Sequence, residues 1–156
     1  MSRTRNQASS AVNRRDVLAG LASAGLCVVV MPASAAAGDL AVAIASYTGG
    51  ATVRSGRVKL DVAELVDNGN VVPITVIVDS PMTDADHVRR IAVFNEKNPQ
   101  RDVARFTLTP RSGKASVTAR IRLATTQQLV AIAQMSDGSY WSHTVDVIVT
   151  LAACIE

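Results

Sequence analysis

Groups that carry chemistry are scarce in this chain of 156 residues, which has two histidines and two cysteines. Cysteine so thinly spread excludes the disulfide framework that staples many small exported domains. Metal ligands at a working spacing are missing too. Asp84-Ala85-Asp86-His87 stands without a second cluster and reads as a solvated loop after Pro81, so no metal or other cofactor is expected. Nor is there a run long enough to cross a bilayer: Val17 to Met31 holds about 15 residues, against the ~20 a spanning helix needs.

That run fits an export leader better. Asn13-Arg14-Arg15-Asp16-Val17-Leu18 sets paired arginines ahead of it, and Pro32-Ala33-Ser34-Ala35 places small residues where a signal peptidase reads. Residues 1–35 are therefore expected to be a twin-arginine signal cleaved after Ala35, with the mature chain periplasmic and free of the membrane. A retained basic helix fits less well, as does a lipoprotein at Cys27, where Leu26 replaces the small residue required. Of the 16 Lys and Arg and 13 Asp and Glu, the leader removes four arginines and one aspartate, leaving 12 of each sign. The sequence pI of 9.2 then belongs mostly to the leader. Nucleic acid is excluded as a partner on that ground. Cys27 leaves as well, so Cys154 becomes the one thiol of a protein in an oxidising compartment. That pattern implies an intermolecular bond or a thiol with a function.

What remains is patterned for strands. Residues 36–57 are small and flexible in character, with Asp39 to Tyr47 predicted as two helical turns opened by an Asp39 cap and stopped by Gly49-Gly50. From Val58 the period becomes two. In Lys114 to Leu123, Ala115, Val117, Ala119, Ile121 and Leu123 alternate with polar residues, which predicts a half-buried strand. Val71 to Val78 is apolar on both faces apart from Thr75 and predicts a more deeply buried strand, with Pro73 demanding an edge or a bulge. Val88 to Phe94 and Ala104 to Leu108 are shorter candidates. Leu129 to Met135 and Tyr140 to Thr150 flank Asp137-Gly138, a strong hairpin signal. Six or seven short strands without interleaved helices predict an all-β fold: an immunoglobulin-like antiparallel sandwich over 58–150, preceded by the short helix. About 100 residues can bury such a core without a disulfide. Residues 151–156 are left as a tail which, fully extended from Thr150, carries the Cys154 sulfur roughly 15 Å from the body at ~3.3 Å per residue.

Catalysis by the chain itself is poorly supported. His143, on the last long strand, and His87 are the only bases available to a Cys-His pair, and each has an ordinary reading as a strand or loop residue. Glu156 and the terminal carboxylate lie within two residues of Cys154 and disfavour its thiolate, while no Lys or Arg adjoins it. Such a thiol suits a carrier whose partners supply the activating charge. The competing reading is a packed cysteine, since Leu151, Ala152, Ala153 and Ile155 are all apolar.

Several segments together resemble the SoxY family, the sulfur-carrier subunit of the periplasmic thiosulfate-oxidising SoxYZ system. They are Tyr47-Thr48-Gly49-Gly50, Val58-Lys59-Leu60-Asp61, Asp67-Asn68-Gly69-Asn70-Val71-Val72-Pro73, Asp79-Ser80-Pro81-Met82, Phe94-Asn95-Glu96-Lys97-Asn98-Pro99, Arg120-Ile121-Arg122-Leu123-Ala124 and Ser136-Asp137-Gly138-Ser139. The resemblance implies an immunoglobulin-like sandwich paired with a SoxZ-like subunit, with no catalysis of its own. It also implies that Cys154 holds the sulfur substrate covalently. A haem-containing enzyme would conjugate thiosulfate to it, a hydrolase would release sulfate, and further Sox enzymes would process the remaining sulfur. The family ends in Gly-Gly-Cys-Gly-Gly, whereas this chain has Ala152-Ala153-Cys154-Ile155-Glu156, which predicts a stiffer and bulkier arm. The alternative is a SoxY-fold interaction module whose cysteine joins chains or packs without loading substrate.

Overall fold

A computed structural model describes residues 34–153. Residues 1–33 of the proposed twin-arginine leader, and Cys154, lie outside the described residues, while Ser34 and Ala35 begin the first helix. In chain order the elements are α1 (Ser34–Thr48), β1 (Val53–Ser55), β2 (Val58–Asp61), β3 (Leu65–Val66), β4 (Val72–Val78), β5 (Val88–Asn95), β6 (Asp102–Thr107), β7 (Ser116–Ile121), β8 (Gln127–Met135) and β9 (Tyr140–Val149). A large sheet runs β1-β9-β8-β5-β6, with β3 also paired to β9, and a small sheet runs β2-β4-β7. The fold is an all-β, immunoglobulin-like sandwich. Its long ladders are antiparallel, while β1 and β3 lie parallel to the two ends of β9.

The strand β7 alternates as its sequence predicts: Ala115, Ile121 and Leu123 are buried, Val117 and Ala119 half-buried, and the polar positions between them exposed. The β8–β9 hairpin is also where expected. Gly138 takes φ 85° in its turn, and Ser139 donates to the Asp137 carboxylate from both N–H (2.8 Å) and hydroxyl (2.7 Å).

The strand β4 is a correction. Val72, Ile74, Val76 and Val78 face the core, but Pro73 and Ile77 are exposed, so only one face is buried. Apolar residues on both faces misled the pattern because the outer face of the small sheet has no covering layer among the described residues. Pro73 nevertheless sits at a local edge. The β2 ladder stops at Asp61 opposite Thr75, leaving β4 open on that side at residue 73.

Two-sided burial falls on β5 and β8 instead. Leu129, Ala131, Ala133 and Met135 of β8 point between the sheets, with Ile91 and Val93 of β5. Val130, Ile132, Ala92, Phe94 and Tyr140 point outward, where Leu40, Ala43, Ile44 and Tyr47 of α1 cover them. Strands buried on both faces read as continuous apolar runs, which Val130-Ala131-Ile132-Ala133 is. The helix is longer than its sequence predicts. Asp39 lies inside it, is not its cap, and pairs with Arg101 at 3.0 Å. Gly49, at φ 65°, follows its end.

Tyr47 is the half-buried aromatic of α1, edge-on to Phe94 at 5.5 Å and to Tyr140 at 6.1 Å. Its hydroxyl is buried without a hydrogen-bond partner. Burial pushes the phenol up to about 12, against a smaller opposing effect of the Arg90 charge. The folded chain thus holds this proton more tightly than the unfolded chain does. The associated stability is complete below the ordinary tyrosine value of about 10 and is lost as pH rises through about 12. A Tyr47→Phe variant keeps the ring contacts and removes the orphaned hydroxyl. It is expected to match or exceed the parent by about 1 kcal/mol at pH 7 and to lose less stability by pH 11, as read from urea midpoints at both pH values.

Candidate functional site

The described part of the tail is bonded to the body. After β9, Thr150 donates its N–H to the Val66 carbonyl at 3.0 Å and its hydroxyl to the Asp67 carbonyl at 3.1 Å. Gly69 N–H then donates to the Leu151 carbonyl at 2.8 Å, and Ala153 N–H donates to the Leu123 carbonyl at 3.1 Å. Leu123 N–H closes the group by donating to the Gly69 carbonyl at 2.8 Å. Three remote stretches of backbone therefore meet, around residues 69, 123 and 151–153. The side chain of Leu151 points out, 60% exposed, while Ala153 is only 8% exposed.

The first three residues of the predicted tail, Leu151 to Ala153, are thus docked on the body. The chain is anchored through Ala153, and Cys154, the expected substrate-carrying residue, is joined to it by one peptide unit. The physical reason is the local backbone: Gly69 exposes an unobstructed N–H and C=O to both neighbours. A Cβ built there would collide with the Leu123 carbonyl oxygen and lie 3.0 Å from Ala153 N. The glycine is required for close approach, since its φ is not positive.

A buried amide network holds the Leu123 side of this clamp. Asn98, 7% exposed, sits in the loop joining β5 to β6. Its Nδ2 donates to the Arg122 carbonyl at 2.8 Å, and its Oδ1 accepts from Ala124 N–H at 3.0 Å, so the two bonds bracket Leu123. Oδ1 also accepts from Gln127 Nε2 at 2.7 Å, and Gln127 Oε1 accepts from Lys97 N–H at 2.9 Å. Asn95, fully buried, accepts the Asn98 N–H at 3.0 Å and donates to the Gln100 carbonyl at 2.8 Å. Every polar atom of the Asn98 side chain is engaged, the condition under which a buried amide is stabilising.

The two histidines do not join this group. His143, exposed on β9, accepts the Leu60 N–H on Nδ1 at 3.1 Å, and His87 Nδ1 lies 3.0 Å from the Thr83 carbonyl. Asp86, drawn above beside His87, pairs with Arg57 at 3.2 Å. Among the described residues, no three His, Cys, Asp or Glu side chains come together as metal ligands.

Sequence reasoning missed Gly69, Asn98, Leu123 and Gln127 as parts of a site. Asn68-Gly69-Asn70 and Lys97-Asn98-Pro99 read only as turns, and a turn signal carries no information about a partner far along the chain. The quoted segments 67–73, 94–99 and 120–124, which carry the family resemblance, are nonetheless the ones that meet at the clamp.

The family model described as "Sulfur oxidation protein SoxY" matches residues 44–154. The chain belongs to the SoxY family. The match runs from within α1 to Cys154 and takes in every residue of the clamp. Among solved structures, the sulfur carrier protein SoxY from Chlorobium limicola f thiosulfatophilum is 30% identical with a TM-score of 0.62, covering 74% of this chain and 99% of that one. Superoxide reductase (neelaredoxin) from Ignicoccus hospitalis is 18% identical, with a TM-score of 0.55 over 62% of this chain and 94% of that one. Superoxide reductase from Nanoarchaeum equitans is 12% identical, with a TM-score of 0.53 over 62% and 100%. These two reductases share the sandwich fold with this SoxY chain and carry no argument about its chemistry. No curated protein sequence matches the chain significantly.

Proposed function

We propose that this SoxY-family chain is a covalent sulfur carrier for thiosulfate oxidation, with Cys154 as the residue loaded. The observation that carries the reading is the backbone clamp, which holds Ala153 and so places an anchored residue directly before the cysteine. Family membership supports it, as does the similar Chlorobium protein, which is itself described as a sulfur carrier.

The chemistry is supplied by partners. The Cys154 thiolate joins the outer sulfur of thiosulfate to give a cysteine S-thiosulfonate, and the two electrons released pass to a haem-containing enzyme. A hydrolase then adds water across the sulfur–sulfonate bond, releasing sulfate and two protons and leaving a cysteine persulfide for further enzymes. The chain contributes a thiol that stays covalently attached between steps, needs no cofactor of its own and catalyses none of them. A SoxZ-like sandwich is its constant partner, and the twin-arginine leader directs it to the periplasm. Negative charge from Glu156 near the thiol keeps it weakly nucleophilic until a partner offers opposing charge.

Intact protein isolated without reductant from thiosulfate-grown cells is expected to include a fraction bearing added sulfur on Cys154, located by mass after proteolysis. If no fraction carries sulfur there, the carrier reading fails and the chain is an interaction module of the same fold.

A further inference from the structure

We infer that Asn98 is a positioning residue for the cysteine-bearing segment: by gripping both peptide units that flank Leu123, it fixes the carbonyl that holds Ala153, and with it the point from which Cys154 departs. The inference rests on the carrier reading and names what controls presentation of the same thiol.

The connection is short and continuous. Asn98 Nδ2 holds the Arg122 carbonyl and Oδ1 holds the Ala124 N–H, at 2.8 and 3.0 Å, so Leu123 between them has little freedom to move. Leu123 is itself fully buried, so its side chain and both neighbouring peptide units are constrained together. Its carbonyl is the acceptor for Ala153 N–H and its N–H the donor to Gly69, whose own N–H holds Leu151. One buried side chain thus governs two backbone bonds of the tail, one directly at Leu123 and one through Gly69.

The Asn98 loop is anchored in turn. Asn95 and Gln127 hold it from β5 and β8, and the Arg101 guanidinium, paired to Asp39 of α1, donates to the Asn98 carbonyl at 2.6 Å. The rigidity of the large sheet and the helix is in this way carried to Ala153, one peptide unit from the thiol. Asn98 touches no substrate. Its contribution is to confine where the sulfur is offered.

Two variants test this. Asn98→Ala removes all of the side chain's bonds, and Asn98→Asp keeps the oxygen acceptor but replaces the donor to Arg122 with a second carboxylate oxygen. The aspartate variant keeps the test usable should the alanine variant fail to fold. Hydrogen exchange on the full-length protein is expected to show the Ala153 and Gly69 amides exchanging about tenfold faster in the variant, with the amides of Ala92 and Ile132 unchanged. In the parent, a polymer-linked maleimide is expected to label Cys154 more slowly relative to iodoacetamide than it does in the variant, because an anchored takeoff point hinders the bulky reagent. If the tail amides and the core amides accelerate together, or if the labelling ratio does not change, Asn98 is merely structural and the inference falls. Neither readout requires sulfur on the thiol, so its outcome is separate from the adduct measurement that tests the carrier reading. Where that adduct is present, its occupancy is expected to fall in Asn98→Asp. Unchanged occupancy with a released tail would also overturn the positioning role.

Discussion

A Cys154→Ser chain is expected to fold as the parent does and to support no thiosulfate oxidation. A serine hydroxyl cannot form the sulfur–sulfur bond that holds the intermediate, and the proposed cleavage after Ala35 would remove Cys27, the second cysteine of the sequence. The loss is therefore complete, with no residual slow rate. Stability is expected to stay within about 0.5 kcal/mol of the parent, because the exchange of sulfur for oxygen leaves every backbone bond of residues 150–153 in place. The measurements are thiosulfate-dependent oxygen uptake in a deletion strain complemented with the variant, and a thermal melt of the purified protein. A strain that still oxidised thiosulfate would exclude Cys154 as the loaded residue.

Gly69→Ala is expected to be the most damaging single methyl that can be added among the described glycines. The new Cβ meets two backbone atoms, the Leu123 carbonyl oxygen and Ala153 N, along with the Val149 side chain at 3.1 Å. Backbone atoms cannot swing aside as the end of a side chain can. Either the Leu123 loop moves away, against the grip of Asn98, or the tail lifts off. The expected cost is about 1–3 kcal/mol, typical of overpacking, read from urea unfolding. Gly38 is the control. It lies within α1 with open space around it, so Gly38→Ala is expected to stabilise the chain by about 0.5–1 kcal/mol through helix propensity alone. A Gly69→Ala variant as stable as the parent would mean that the close approach is loosely held.

The long strands and their hairpin could be read from the chain because each rests on a local signal. Alternation in β7 and Asp137-Gly138 between two apolar runs need no knowledge of distant partners. The short strands β1 and β3 have no such signal. Three and two residues long, they are strands because β9 offers a template at each end. The outer faces of β4, β5 and β8 are hard to tell apart for a related reason: composition records how apolar a strand is, while burial depends on which layer covers it. Helix α1 supplies that layer over the large sheet, and nothing in its sequence names the face it covers.

The site divides in the same way. Cys154 is legible as the cysteine that follows the proposed leader, and the family resemblance implies the role proposed for it. The clamp was invisible because it consists of backbone groups at residues 69, 123 and 151–153, brought together only by the closed fold. Asn98 and Gln127 have the composition of ordinary loop and strand-end residues. Only their burial, with every polar side-chain atom of Asn98 engaged, marks them out.

The docked tail has a mechanical consequence for the carrier. If Cys154 carries sulfur as proposed, a partner that needs little reach would work with the tail in place. One whose reacting group lies deeper must peel residues 150–153 away, gaining ~3.3 Å of reach for each residue freed. The bonds at Thr150, Leu151 and Ala153 resist that extension, at about 0.5–1.5 kcal/mol each. Under that reading the tail would act as a weak spring of fixed travel, and a partner that needs more of it would lose more binding energy to the bonds it breaks.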